Sequence, residues 1–231
     1  MSAPLRIGDP AIEVQLRRSA RARRMVLRVA AAGRGPTLTL PSGVPLAQAR
    51  AFLADNEGWL RRHLAEGAAR SPVVDGSVLP FAGGNLTLVH RPGRHTLRAG
   101  EVLAVGGPPG AIGPRAAAWL REEARAACVA GVERHAAALG QRAGRISLRD
   151  PRARWGSCTA SGDLMFSWRL ILAPPAVLDY VVAHEVAHLA ELNHSPRFWA
   201  VVRRLCPEMD GPRDWLRRNG AALHRLDFAA A

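Results

Sequence analysis

The stretch Pro174 to Pro196 reads PPAVLDYVVAHEVAHLAELNHSP. Apolar side chains at Val177, Leu178, Val181, Val182, Val186 and Leu189 recur every three or four positions, the spacing of one helix face. Pro174-Pro175 suits a helix start, because residues of the first turn have no amide bond to lose, and the pattern predicts a helix running to about Leu192. His184 and His188 sit four apart on it. Residues at that spacing lie one turn above each other, so both imidazoles leave the same face and can share one ion through neutral ring nitrogens. Glu185, beside them, is placed to take a proton from water polarised by that ion rather than to bind it.

Two imidazoles leave an ion short of a ligand, and the nearest further donor is His194. A helix continuing past Leu192 would carry His194 off the metal-facing line, since six residues at roughly 100° each do not close on a turn. Asn193 and Pro196 therefore matter. Asparagine tolerates the left-handed conformation that ends many helices, and proline discourages the helix from resuming. The expected metal set is His184, His188 and His194 around zinc, with Glu185 catalytic; Glu208 and Glu191 are the alternative third ligands. Tyr180, one turn before His184, is read as a packing residue.

Outward from this segment, Pro114–Leu139 reads as a long helix and Arg145–Arg149 as a strand. Ser161-Gly162-Asp163 reads as the turn of a hairpin joining Ala153–Cys158 to Leu164–Ile171. The Gly-Gly-Pro-Pro-Gly break at 106–110 is the expected boundary between a β-rich N-terminal region, 1–110, and a metallohydrolase domain, 111–231. Within the first region, Ile12–Arg18, Met25–Val29, Thr37–Leu40 and several segments from Val78 to Val105 read as strands. Residues 30–36 supply a turn there, and Pro45–Leu64 reads as one helix. The fold class is α+β. No sequence repeat is evident.

Composition narrows the function classes. No run approaches the roughly 20 apolar residues that a membrane-spanning helix needs, and the N-terminus lacks the apolar core of a secretory signal, so a soluble cytoplasmic protein is expected. Cys128, Cys158 and Cys206 are odd in number, far apart and free of any Cys-x-x-Cys pair, against a disulfide framework or a thiolate metal site. Net charge is +13, carried entirely by arginine because the chain has no lysine. A GC-rich genome gives such a sequence, so the basicity is either mutational bias or attraction for phosphate. Arg17, Arg18, Arg21, Arg23, Arg24 and Arg28 cluster in twelve residues, without interleaved aromatics on which bases would stack.

Arg154-Trp155-Gly156-Ser157-Cys158, Trp168-Arg169-Leu170-Ile171, Ala173-Pro174, the histidine helix and Asn193-His194-Ser195-Pro196-Arg197-Phe198-Trp199 follow one another in an order that resembles the YgjP-like metallopeptidase family. Arg18 to Arg24, the segment Asn56 to Trp59 and Asp75-Gly76 fit its N-terminal half. The resemblance implies zinc on the three histidines and a catalytic Glu185. It also implies a zincin-like core, related to SprT-like proteins: a helix, a short antiparallel sheet and the active-site helix beneath it. In such folds an extended peptide adds to a sheet edge above the metal, making 154–158 or 164–169 the candidate edge. Trp155, Trp168, Phe198 and Trp199 are read mainly as core aromatics, and Arg154 and Arg169 as facing the cleft or as surface ion-pair partners.

A peptide or protein substrate is the first expectation. A UTP pyrophosphatase description attached to the same family makes nucleoside triphosphate hydrolysis the alternative, although no P-loop or acidic magnesium cluster is evident. Association with nucleic acid through the arginine-rich segment is compatible with either activity. A zinc site kept only for structure would have no use for Glu185.

Overall fold

The computed structural model describes residues 4–29, 35–68 and 70–229; most of the turn expected over 30–36 lies outside them. The chain forms two compact units, Met1–Arg70 and Ser71–Ala231.

In the first unit, β1 (Leu5–Ile7), β2 (Ile12–Ser19), β3 (Val26–Arg28) and β4 (Thr37–Pro41) form a sheet of order β1-β2-β4-β3, with β2 and β4 parallel and the outer pairs antiparallel. Alternation along β4 turns Leu38 and Leu40 inward, where they meet Val14, Ala49, Leu53 and Leu60. The single helix expected over Pro45–Leu64 is two: α1 (Leu46–Asp55) and α2 (Glu57–Ala68). Asn56 causes the break. Its side-chain Nδ2 donates to the Phe52 carbonyl at 2.8 Å, the acceptor that its own amide would use in a continuing helix, and that amide turns to Leu53 O instead.

The second unit begins with β5 (Ser71–Pro72), then β6 (Val78–Phe81), β7 (Gly84–His90), β8 (Thr96–Ala99) and β9 (Val102–Val105). Strands β6 to β9 repeat the topology of the first sheet: order β6-β7-β9-β8, a parallel centre and antiparallel flanks. That likeness lies in topology, not in residues. Leu79, Phe81, Leu86, Leu88, Leu103 and Val105 from this sheet share one core with α3 (Ile112–Leu139). The sequence-based boundary at 110 is therefore corrected to 70. The Gly106-Gly107 segment is a tight crossing rather than a linker: the two amides donate to His95 O and Gly93 O, and a side chain at Gly106 would meet His95 O at 2.6 Å.

After α3 come β10 (Ile146–Arg149), β11 (Gly156–Cys158) and β12 (Leu164–Ser167), ordered β10-β12-β11. The hairpin β11–β12 is antiparallel as expected, but β10 runs parallel to β12, so this sheet is mixed rather than antiparallel. β12 also ends sooner than expected, since Trp168–Leu172 is a 3-10 turn. Helices α4 (Pro175–Ala187), α5 (Pro196–Leu205) and α6 (Asp210–Leu223) follow, and β13 (Leu226–Asp227) pairs with β5, closing the C-terminal end of the unit onto its start. The class is α+β, with a long helix, a short sheet and the histidine helix together in the second unit. Among the described residues no helix is long and apolar enough to cross a membrane.

Candidate metal centre

α4 carries His184 in its last turn, but it ends at Ala187, short of the expected Leu192. His188 is its C-cap and keeps a right-handed helical backbone, φ −66° and ψ −16°, so the four-residue spacing to His184 survives the ending. Leu189 and Ala190 then donate to carbonyls three residues back, which tightens the chain into a turn. Among the described non-glycine residues only Ala82 has positive φ, so Asn193 does not end the helix in the left-handed way expected. Its side-chain Oδ1 instead accepts from the Ser195 amide at 3.2 Å. Ser195 Oγ in turn accepts from the Phe198 amide at 3.3 Å, capping α5.

These turns bring His194 back onto the helix. His184, His188 and His194 each offer a ring nitrogen, and the three lie within 4.8 Å of one another. The Nε2 atoms of His184 and His194 face each other at 3.1 Å. His188 Nδ1 is 3.0 Å from the Glu191 carbonyl, which can only accept, so Nδ1 carries the proton and Nε2 keeps its lone pair. Burial, helped by the neighbouring His188, His194 and Arg213, brings the His184 imidazolium down to about 4. Burial lowers His188 as well. His184 Nδ1 is buried without a hydrogen-bond partner. Three convergent imidazoles, the neutral forms of His184 and His188 favoured by burial, with an unpartnered buried nitrogen are a donor set that fits a borderline cation such as zinc. Neither the Glu208 nor the Glu191 carboxylate belongs to the cluster; Glu191 serves it only through its main chain.

Aromatic rings hold the imidazoles. Phe198, fully buried, stacks on His188 with centroids 4.4 Å apart and meets His184 and His194 edge-on at 4.9 and 4.7 Å. Trp199 stacks on His194 at 5.7 Å and carries the Arg213 guanidinium 4.9 Å above its ring. Tyr180 is 6 % exposed and edge-on to His184. Phe198 and Trp199 are thus core aromatics with a task. Sequence reading missed Arg213, which comes from α6 and has no local pattern tying it to the histidines.

Glu185 is 6 % exposed, and burial raises its carboxyl to about 7, with Arg154 pulling the other way. It lies directly against β11: a Cβ on Gly156 would sit 2.5 Å from Glu185 Oε1 and 2.6 Å from Cγ. Only glycine lets this strand come so close. Arg154 is exposed just before β11, and its charge reaches the Glu185 carboxyl. Arg169 is a correction, belonging neither to the cleft nor to the surface. It is 8 % exposed, grips Asp150 with two bonds at 2.7 and 3.1 Å, and donates to the Leu223 and Leu226 carbonyls, anchoring the chain after α6. Trp155 packs against Gly220 and stacks on His224 at 4.9 Å, fixing β11 to α6.

Residues 23–219 match the family profile described as YgjP-like, metallopeptidase domain. The chain belongs to the YgjP-like metallopeptidase family. Comparison with curated proteins gives no match. Among solved structures, the metallopeptidase zymogen abylysin of Pyrococcus abyssi is 21% identical, with 43% of this chain and 97% of that chain covered at a TM-score of 0.37. Membership makes the YgjP-like chain a metal-dependent hydrolase.

Proposed function

We propose that the chain is a zinc-dependent peptidase in which His184, His188 and His194 hold the ion and Glu185 is the general base. The observation that carries this reading is the convergence of three imidazoles beside a buried carboxylate that lies against the edge strand of a sheet. When bound, the ion supplies Lewis-acid polarisation of water and of the scissile carbonyl. Glu185 accepts the proton of the attacking water at a carboxylate oxygen and returns it to the departing amine. A carboxyl near 7 is suited to both steps, because it loses and regains a proton at little cost near neutral pH.

Strand order narrows the two candidate edges. β12 is paired on both sides, whereas β11 is an edge strand with Glu185 against it. An extended peptide pairing with Gly156–Cys158 would place its backbone over the carboxylate, which favours peptide over nucleotide as the substrate. Nucleoside triphosphate hydrolysis finds less support. Among the described residues, the only group of metal-binding spacing is the histidine triad.

The test is hydrolysis of an unfolded polypeptide and of UTP, side by side, by zinc-loaded wild-type and Glu185→Gln proteins. Expected is polypeptide cleavage by wild type, reduced at least about 100-fold in Glu185→Gln. UTP cleavage alone, with the same sensitivity to Glu185→Gln, would transfer the site to the nucleotide reading.

A further inference from the structure

The unit Met1–Arg70 holds twelve arginines against five acidic side chains, more than half of the net charge in less than a third of the chain. Arg18 is engaged, donating to the Ser42 and Val44 carbonyls at 2.9 Å. Arg17, Arg21, Arg23, Arg24 and Arg28 are exposed and make no side-chain hydrogen bond or ion pair among the described residues. Arg24, with Met25 to Leu27, forms one side of an open groove of about 280 Å³ whose other side is Phe52, Asn56 and Trp59. α1 and α2 thus bring to Arg24 the aromatic surface that is missing between the arginines in sequence, whereas Arg17 and Arg28, in register with Thr39 and Thr37, lie on the other face of the sheet.

The chemistry of this wall is specific. Trp59 is half-buried and held flat by His63, stacked on it at 4.1 Å. Asn56 spends its Nδ2 on the Phe52 carbonyl, leaving Oδ1 as an acceptor. Among the described residues β3 pairs only with β4, which leaves the main-chain donors and acceptors on its other side without a strand partner. A flat apolar ring, a fixed acceptor and open backbone groups suit a planar heterocycle whose edges carry donors and acceptors, and forked guanidiniums suit phosphate. An acidic peptide would satisfy the arginines and leave the ring unused.

We propose that this unit binds single-stranded nucleic acid, seating a base against Trp59 with the flanking phosphates on Arg21, Arg23 and Arg24. The site is separate from the hydrolytic one and stands whether or not the peptidase reading does.

The experiment is fluorescence anisotropy of the full chain with labelled oligo-dT and oligo-U, and with polyglutamate of equal charge. Both oligonucleotides should bind, with the logarithm of affinity falling against that of salt at a slope of about −1 to −2, as expected for up to three phosphates on a single strand. Trp59→Leu should weaken binding about 5- to 100-fold at unchanged slope. The pair Arg23→Ala and Arg24→Ala, both exposed, should instead make the slope shallower by about 1 to 1.5 while leaving the fold intact. The proposal is overturned if neither oligonucleotide binds, if polyglutamate binds as tightly, or if a folded Trp59→Leu protein and the arginine pair both match wild type.

Discussion

Gly156 and Glu185 show how one absent methyl group bears on chemistry. With Oε1 only 2.5 Å from where a Cβ would lie, Gly156→Ala has to push the carboxylate aside. Displacements of about 1 Å at a reacting group commonly cost about 100-fold in rate. Gly156→Ala is therefore expected to lose about that much peptidase activity while keeping its zinc, as read by steady-state kinetics and metal analysis on the same sample. Activity within twofold of wild type would mean that Glu185 is not held by this strand. The HExxH histidines were legible from sequence because their relation is local, one turn of a helix. The contact of Gly156 with Glu185 is not legible, since it joins two separate elements, nor is that of Arg213, which reaches Trp199 from the next helix, and a buried arginine such as Arg169 looks like an exposed one in sequence.

Among the elements, the turn between α4 and α5 does the work that a longer helix could not. His194 was legible as a partner from the need for the helix to stop, but the stop lies at His188 rather than Asn193. It is built from three-residue hydrogen bonds and the Glu191 carbonyl, none of which has a residue signature. Ser195 fixes the far side of this turn through its bond to the Phe198 amide. Ser195→Ala should cost about 1 kcal/mol in denaturant unfolding and weaken zinc affinity by loosening His194. Unchanged zinc affinity would show that the Phe198 and Trp199 rings alone hold the imidazole.

A second tie sets α4 against α3. Asp179 meets His135 at 2.8 Å and pairs with Arg134, and Gly131 admits Val182 at 3.2 Å from its notional Cβ. Burial opposes ionisation of Asp179, yet the His135 hydrogen bond and charge, with Arg134, hold its carboxyl below the ordinary carboxylate range. A carboxyl lowered on folding contributes stability that is full above its unfolded pKa and is lost as pH falls through the folded one. Wild type should therefore lose stability on acidification below about pH 4, and Asp179→Asn should flatten that limb in urea titrations between about pH 2 and 5. Equal acid limbs would remove Asp179 from the balance.

Over the whole molecule, the two sheets of equal topology could not be seen in residues, because a strand order is set by which apolar faces find a core and not by a repeated motif. The misplaced boundary has the same origin. A glycine-proline run looks like a linker, but the strands before it bury their apolar faces against α3. The site, by contrast, spans α4, the following turn and β11 within Ser71–Ala231, so metal binding and the stability of that unit should be linked. Zinc at about 100 times its Kd should add about 2.7 kcal/mol, and a chelator should remove it. Glu185→Gln should retain this gain and His194→Ala should lose most of it, as read by thermal melts with and without zinc.

X-ray absorption at the zinc edge of the loaded full-length protein reads the ligands of the ion themselves. Three imidazole nitrogens at about 2.0–2.1 Å in wild type, falling to two in His194→Ala, is the expected result. A shell of carboxylates or thiolates, or an identical spectrum in His194→Ala, would contradict the three-histidine site.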